Sequence, residues 1–506
     1  MAAVPLPGNP SLAQLRKQAK DVRDLARAGV RGALDLVAAH HPDGAHPVSL
    51  TGAQLVVARH YGFASWARLK HHLELVERYR REPDQVGDPA DLPGLFVTLA
   101  CLRCGGDDSP GRWQRAAALL AAHPEITRGS IHAAAAATDA AAAAALLAAD
   151  PALARTDGGP YRWEPILYLC YARHDPAVSE AAALDTARLL LEHGADPDAG
   201  YLWHGMTTPF TALTGALGSG GDGQPPHPHA MALAALLLSA GADANDGQAL
   251  YNRQFAPTTA TWCCCCRMGL AAVTAGPWRA RLGHTTDSPR QMVRTQLWWA
   301  VVHDMADRVR QLIDHGADYL TPYEAPGGQP YWARSSDGRT PAEVAALAGC
   351  PAVLDLLVAR GAAPPATDGA DGLVAAALAG DRTTAERLRL HAGQARAQRP
   401  ALIVWAAARG ARDAIALLAD MGFDVNALGR ADAPIEQAWQ TALHQAASAG
   451  DLQMARMLLD LGADPSIRDA RFGSTPLGWS RYVGHQELTD LLEPVTTPDP
   501  ATEDGA

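Results

Sequence analysis

The segment MARMLLDLGADPS, residues 454–466, places apolar side chains three and four residues apart and then ends in glycine and a turn sequence. Apolar residues at this spacing form one buried stripe along a helix. Glycine ends such a helix because it enters the left-handed backbone conformation at little cost. The aspartate and proline that follow favour a turn. The segment therefore predicts a short amphipathic helix that ends at Gly462.

Variants of this segment occur five more times upstream. They read ARLLLEHGADPDA from Ala187, LAALLLSAGADAN from Leu233, RVRQLIDHGADYL from Arg308, VLDLLVARGAAPP from Val353 and AIALLADMGFDVN from Ala414. A phrase that recurs along a chain indicates repeated structural units that stack on one another. Successive copies are 47, 75, 45, 61 and 40 residues apart, so several units must carry insertions. Candidate insertions begin at Gly200, Gly218 and Thr321.

A second helix with its own start lies upstream of several copies. The clearest are TALHQAASAGD from Thr441, STPLGWSRYVGH from Ser474 and RTPAEVAALAGC from Arg339. Threonine caps the free N–H groups of a first helical turn, and proline is tolerated within that turn. Each unit is therefore expected to contain a turn, a helix, a tight glycine loop and a second helix.

Together these features resemble the ankyrin repeat family, whose unit is about 33 residues long and starts with Thr-Pro-Leu-His. Thr441 and Thr475 are 34 residues apart, although no copy keeps the whole start phrase. The resemblance covers roughly residues 125–493, and the chain is similar to bacterial ankyrin repeat domain-containing proteins. It implies an all-α fold, an ankyrin-repeat solenoid of helix-turn-helix units with hairpin-like turns, preceded by a small N-terminal helical bundle.

The rest of the chain divides by composition. Residues 11–82 contain further helical patterns, which resemble the helical segment often found ahead of repeats in bacterial ankyrin proteins, and residues 83–93 are rich in proline and acid, as linkers are. The predicted order is a disordered start (1–10), an N-terminal helical segment (11–82), a linker (83–93), a helical adaptor (94–124), the array (125–493) and a disordered tail (494–506).

Composition bounds the location and the partners. The chain has 506 residues and eight cysteines, and it shows no secretory signal and no apolar run long enough to span a bilayer. A cytoplasmic location with free thiols is therefore expected. The net charge is -11, but residues 1–80 carry eleven basic against six acidic residues, so the acidity lies in the remainder. An acidic array favours a basic partner by long-range steering.

Four consecutive cysteines, residues 263–266, stand out within TWCCCCRMGL, residues 261–270. Four adjacent residues are a poor tetrahedral zinc site, and they lack the Cys-x-x-Cys spacing of redox centres. A second interpretation is an out-of-frame reading. Shifting the degenerate codons of this stretch by two bases gives LVLLLPxGA, which resembles RLLLEHGA from Arg188, and the run falls in the 75-residue interval. We therefore expect a helix pair of the array to lie in this interval.

Two other segments could carry chemistry. Cys101 and Cys104 form one isolated Cys-x-x-Cys, for which helix packing is the favoured interpretation over a metal site. The helix-turn-helix-like segment from Ala53 could instead bind DNA. In that reading Arg68, Lys70, His71 and His72 would face the nucleic acid, whereas the favoured reading is a packed bundle with a core of Leu55, Val56, Phe63, Trp66 and Leu69. The segment LWWAVV from Leu297 predicts core.

No nucleophile with a matched base, phosphate loop or paired carboxylates is found in the sequence, so we expect neither an enzyme nor a cofactor or metal. The favoured function is a non-enzymatic scaffold or adaptor that binds a protein partner through the concave face and turn tips of the array. The alternative is a DNA-binding regulator. Candidate anchors are aromatic and arginine residues in predicted turns, unless those turns fold back and bury them. They are Trp203, Tyr331, Trp332, Arg471 and Phe472.

Overall fold

The computed structural model describes residues 4–41, 49–218, 224–255, 270, 276–323 and 338–497. These residues form two compact units. The first is built from the chain up to Gln296 together with Gln311–Ala317, and the second from Leu297–Arg310, residues 318–323 and residues 338–497. The chain passes from one unit to the other within two helices, Pro289–Val302 and Ala306–Asp314.

The first unit begins with four helices, Leu12–Arg27, Arg31–His40, Leu50–His60 and Trp66–Tyr79. Ser11, Ser49 and Ser65 cap three of them, since each side chain accepts a hydrogen bond from the third following backbone N–H. Apolar residues of all four helices meet in one buried cluster that includes Leu15, Val37, Val56 and Leu69. The N-terminal segment is thus a packed helical bundle.

Short helices continue the first unit. They are Leu92–Ala100, Pro110–Ala122, Ile131–Ala136, Ala140–Ala149, Pro165–Tyr171, Glu180–Glu192, Ala212–Leu217, Ala230–Ser239, Gly247–Gln254 and Pro277–Leu282. Helix Gly247–Gln254 lies in the interval where a helix pair was expected, and the four cysteines at 263–266 lie outside the described residues. The segment predicted as a linker contains a 3-10 turn at Pro83–Gln85.

A three-stranded sheet lies within the first unit. Strand Gly200–Trp203 pairs antiparallel with Phe210–Thr211 and parallel with Arg80–Arg81. The guanidinium of Arg81 donates to Asp157 (3.1 Å) and to the carbonyl of Arg162 (3.0 Å). The N-terminal bundle and an insertion of the predicted array therefore share one sheet.

The second unit repeats one arrangement of short antiparallel helices. Its remaining helices are Pro341–Ala348, Pro351–Ala359, Gly369–Leu378, Arg382–Arg387, Ala392–Gln398, Leu402–Ala408, Arg412–Asp420, Ala442–Ala449, Leu452–Asp460, Pro476–Val483 and Gln486–Leu492. The first helices of neighbouring pairs pack directly on each other, as Ala442–Ala449 does on Pro476–Val483. Small residues such as Ala442, Ala446 and Ala447 are buried there and permit this close approach.

The local signals in the sequence are confirmed. Thr340 and Thr441 form capping boxes, and the Thr475 side chain accepts from Gly478 N. The glycines that end the six copies of the repeated phrase all have φ between 81° and 106°, in the left-handed region that disfavours any other residue. They are Gly194, Gly241, Gly316, Gly361, Gly422 and Gly462.

Parts of the two segments predicted as disordered make ordered contacts. Val4 N donates to the carbonyl of His60 (3.0 Å), and Thr497 N donates to Ser466 Oγ (2.9 Å). Leu297, Trp298 and Trp299 are buried, which confirms that this segment belongs to the core.

Candidate functional site

The last turn between helix pairs, residues 467–474, is built around one buried carboxylate. Asp469, only 3% exposed, accepts hydrogen bonds from the backbone N–H of Arg471 (2.9 Å), Phe472 (2.6 Å) and Ser474 (2.9 Å). The indole Nε1 of Trp479 donates to it as well (3.0 Å). Burial opposes ionisation, but these N–H donors outweigh it and lower the pKa of Asp469. We call residues 467–474 the distal finger; its backbone is held by an internal anion.

A histidine ties this finger to the preceding unit. His444 Nδ1 accepts from Thr441 N (3.2 Å), and Nε2 donates to the carbonyl of Ser474 (2.9 Å). The ring is buried, and burial lowers the pKa of His444 despite the bond to Ser474. The imidazole is therefore kept neutral, in the tautomer that can make both bonds.

The preceding finger, residues 429–440, is the longer of the two and lies beside the distal finger. Its two arms are bridged between Gly429 and Gln440, whose backbone N–H groups each bond the other's carbonyl. Next to this bridge, Arg430 donates to Asp432 (2.6 Å) and to Gln437 (3.0 Å). Ala470 N then donates to the Trp439 carbonyl (2.7 Å), which joins the two fingers.

Arginine and aromatic side chains meet where the two fingers touch. The guanidinium carbons of Arg430 and Arg471 lie 4.2 Å and 5.1 Å from the Trp439 ring centroid. Arg471 is also 5.1 Å from the ring of Phe472, which in turn is 6.1 Å from Trp479. Cation–π contacts of this kind orient an arginine without using its N–H donors. We call these five residues the fingertip cluster.

The cluster continues as an exposed apolar strip along helix Pro476–Val483. Phe472 is 65% exposed and Tyr482 is 93% exposed. Tyr482 and Val483 follow Trp479 by three and four residues, so they lie on neighbouring positions of the same helix surface. Exposed rings of this size are unusual on a surface that meets only water.

Residues 373–469 match the family model for ankyrin repeats in three copies. Residues 373–469 therefore contain ankyrin repeats. A protein of Rickettsia felis described as an ankyrin repeat protein is 43% identical over 53 residues, which cover 10% of this chain and 13% of that protein. The chain thus spans only a small part of this relative's length. The predicted fold class, a mostly helical ankyrin-repeat solenoid, is confirmed.

The predicted anchor residues fall in different places. Arg471 and Phe472 are adjacent in the second unit and form part of the fingertip cluster. Trp203 lies half-buried in the sheet of the first unit, 4.3 Å from the ring of His204, and its buried Nε1 has no hydrogen-bond partner among the described residues. Tyr331 and Trp332 lie outside the described residues.

The sequence did not predict four residues of the fingertip cluster and of the exposed helix beside it, namely Arg430, Trp439, Trp479 and Tyr482. Arg430 and Trp439 stand in the long finger, and Tyr482 stands in a helix whose pattern gives no hint of its exposure. A tryptophan directly before the Gln-Thr start of the next unit was a usable signal, because polar turn sequences seldom contain one. For Tyr482 the sequence holds no comparable signal.

The structure corrects one residue of the DNA-binding alternative. His72 is buried, its ring lies 5.0 Å from that of Phe63, and burial lowers its pKa to about 4. It therefore cannot face a phosphate, whereas Arg68, Lys70 and His71 are exposed. Val56, Phe63 and Leu69 are buried as the packed-bundle interpretation predicted, and Leu55 and Trp66 are partly buried.

The isolated cysteine pair lies within the first unit. Cys101 is buried next to the carbonyl of Tyr168 (3.5 Å), and Cys104 is partly buried. Burial raises the pKa of both thiols to about 12, so they stay neutral at physiological pH. Across the residues that the structure describes, no three His, Cys, Asp or Glu side chains are placed to hold a metal ion.

None of the helices in the described part of the chain is both long enough and apolar enough to cross a membrane.

Proposed function

We propose that the chain binds another protein through the fingertip cluster and the exposed side of helix Pro476–Val483. The observation that supports this most directly is the exposure of the Phe472 ring on a turn whose backbone is fixed by Asp469. Ankyrin arrays are generally protein-interaction modules, and arginine and aromatic residues commonly dominate such interfaces.

The energetics favour this surface. Covering the exposed part of the Phe472 ring removes on the order of 100 Å² from water, which contributes ~2–3 kcal/mol. The four hydrogen bonds to Asp469 hold the finger before any partner arrives, so little conformational entropy is lost on binding. The fingertip cluster is therefore preorganised as well as apolar.

The wider role follows from the same surface. We propose a non-enzymatic scaffold or adaptor in the cytoplasm, since no side chain of the fingertip cluster is a nucleophile paired with a base. The acidic balance of the chain beyond residue 80 would steer a partner with a basic surface toward it. Trp203, Tyr331 and Trp332 stay proposed anchors beside Arg471 and Phe472.

Site-specific photo-crosslinking tests the proposal. A benzoylphenylalanine replaces Phe472 in one variant and Leu390 in another; Leu390 is 80% exposed but lies in a 3-10 turn after a second helix. We expect position 472 to give a discrete adduct in the native cytosol that position 390 does not give. Excess wild-type protein should abolish the adduct. Identical adducts from both positions, or none from either, would refute the proposed surface.

Affinity capture tests the proposed surface independently of crosslinking. The wild type is compared with Phe472→Ala, Tyr482→Ala and Trp332→Ala, and Leu390→Ala controls for the loss of an exposed apolar side chain. Phe472→Ala and Tyr482→Ala should each lose the crosslinked partner while the control retains it. Retention by Trp332→Ala would remove Trp332 from the set of anchors.

A further inference from the structure

The distal finger turns its carboxylate inward and its arginines outward. The two oxygens of Asp469 accept hydrogen bonds from three backbone N–H groups and from the Trp479 indole. Arg468 and Arg471, on either side of it, are exposed. The outer side of this finger is therefore basic, opposite in sign to the chain as a whole.

The two arginines on Trp439 differ in what their guanidinium groups already bind. Arg430 forms an ion pair with Asp432, a bond to Gln437, and its side chain is largely buried. Arg471 stacks on Trp439 and Phe472, and within the described residues its guanidinium has neither an ion pair nor a hydrogen bond. Arg471 is thus oriented by rings while its N–H donors stay open to a ligand.

We propose that the fingertip cluster binds an acidic segment of a protein partner, in which a carboxylate pairs with Arg471 and neighbouring apolar side chains cover Phe472, Trp479 and Tyr482. This inference rests on the proposed function and names the chemistry of the partner. A planar guanidinium matches a carboxylate in a two-bond geometry. The apolar strip beside it fits a peptide better than a polyanion, whose binding needs several phosphate contacts.

The negative net charge of the chain is compatible with an acidic partner segment. Charges in water are screened over about 8 Å at physiological ionic strength, so the acidic array acts on the approach of the whole partner. Arg471 acts at contact, where desolvation by Phe472 strengthens its pairing. A partner can therefore carry a basic surface and still dock through an acidic segment.

Peptide display on the full-length protein tests the inference. Random peptides are selected on the wild type and then measured against Arg471→Gln, Arg471→Lys and Phe472→Ala. Arg382→Gln is the matched control, because Arg382 is exposed at the start of a second helix in the same unit. We expect selected peptides to carry Asp or Glu next to a large apolar residue. Arg471→Gln should weaken them about tenfold or more, Arg471→Lys less, and Arg382→Gln not at all.

A double-mutant cycle decides the role of the carboxylate. Replacing the peptide's acid by its amide should weaken binding to the wild type, but it should change little in Arg471→Gln. Peptides that depend on Phe472 but not on a carboxylate would overturn the inference and leave the proposed function standing. Selection that no fingertip variant affects would overturn both. Concentration-dependent dimerisation abolished by Phe472→Ala would show a second copy as the occupant and also overturn the inference.

Discussion

Trp203 and Phe472 both stand in turns between helix pairs, yet the two turns use their aromatic residues differently. The turn of Trp203 extends into a strand that pairs on both sides, and its ring packs against His204 and Phe210. The turn of Phe472 closes on its own aspartate and leaves the ring exposed. A turn that finds a partner strand within the chain therefore leaves less of its aromatic ring exposed to other molecules.

The largest expected effect concerns the aromatic core next to the sheet. Trp163 is buried and contacts Tyr168, Tyr171 and Tyr201 at 5.2, 5.0 and 4.9 Å between ring centroids. Trp163→Ala should lower the free energy of unfolding of the first unit by ~3–5 kcal/mol. Denaturant unfolding with Phe472→Ala as the matched aromatic deletion measures the difference. Equal losses of unfolding free energy in both variants would mean that the rings of Trp163 and Phe472 contribute equally to stability, contrary to the comparison of the two regions.

A smaller effect is expected from the anion inside the distal finger. Asp469→Ala removes the acceptor of the Arg471, Phe472 and Ser474 N–H groups and should destabilise the second unit by ~1–3 kcal/mol. Asp460→Ala is the control, because Asp460 is exposed at the end of helix Leu452–Asp460. Thermal unfolding measures both variants. A stability equal to that of the control would mean that the finger does not depend on its carboxylate.

Acidification should loosen the same finger. Because the pKa of His444 is lowered in the folded protein, the unfolded chain binds the proton first, and stability is lost as pH falls below about 6.5. The pKa of Asp469 is also lowered, so its contribution is lost below about 4. Hydrogen exchange at Ser474 and Phe472, corrected for its intrinsic pH dependence, should show protection falling from pH 7 to 5. Unchanged protection would contradict this.

The smallest expected effect on stability is that of Phe472→Ala. Its ring is mostly exposed, so the free energy of unfolding should change by no more than ~0.5 kcal/mol. Partner binding should nevertheless fall at least about tenfold, as for an interface hot spot. Calorimetric unfolding and partner titration on the same preparation separate the two quantities. A large loss of stability would place the ring in the core of the finger instead of on its surface.

Local features of the sequence predicted local structure well. Thr441, Gly462 and Thr475 act through bonds and dihedral angles within one turn, so their roles follow from a few neighbouring residues. Trp203 and His72 depend on residues far along the chain. The sequence could not show that Trp203 would pair with a strand at residue 81 or that His72 would pack on Phe63.

The candidate site was predicted only in part for the same reason. Arg471 and Phe472 were predicted as anchors because residues in a turn have no helix face on which they could be buried. Their arrangement depends on Trp439, which belongs to the preceding finger and is brought in by the bond from Ala470. That contact joins residues about one repeat apart, so no local sequence pattern predicts it.

The pairing of strand Arg80–Arg81 limits where the chain can be cut into fragments for expression. A fragment that starts after the bundle would leave strand Gly200–Trp203 with an unpaired edge, which invites aggregation. The bundle alone would carry the same exposed edge and an Arg81 deprived of Asp157. Fragments meant to isolate the first unit should therefore keep the bundle, the strands and the helices between them on one chain.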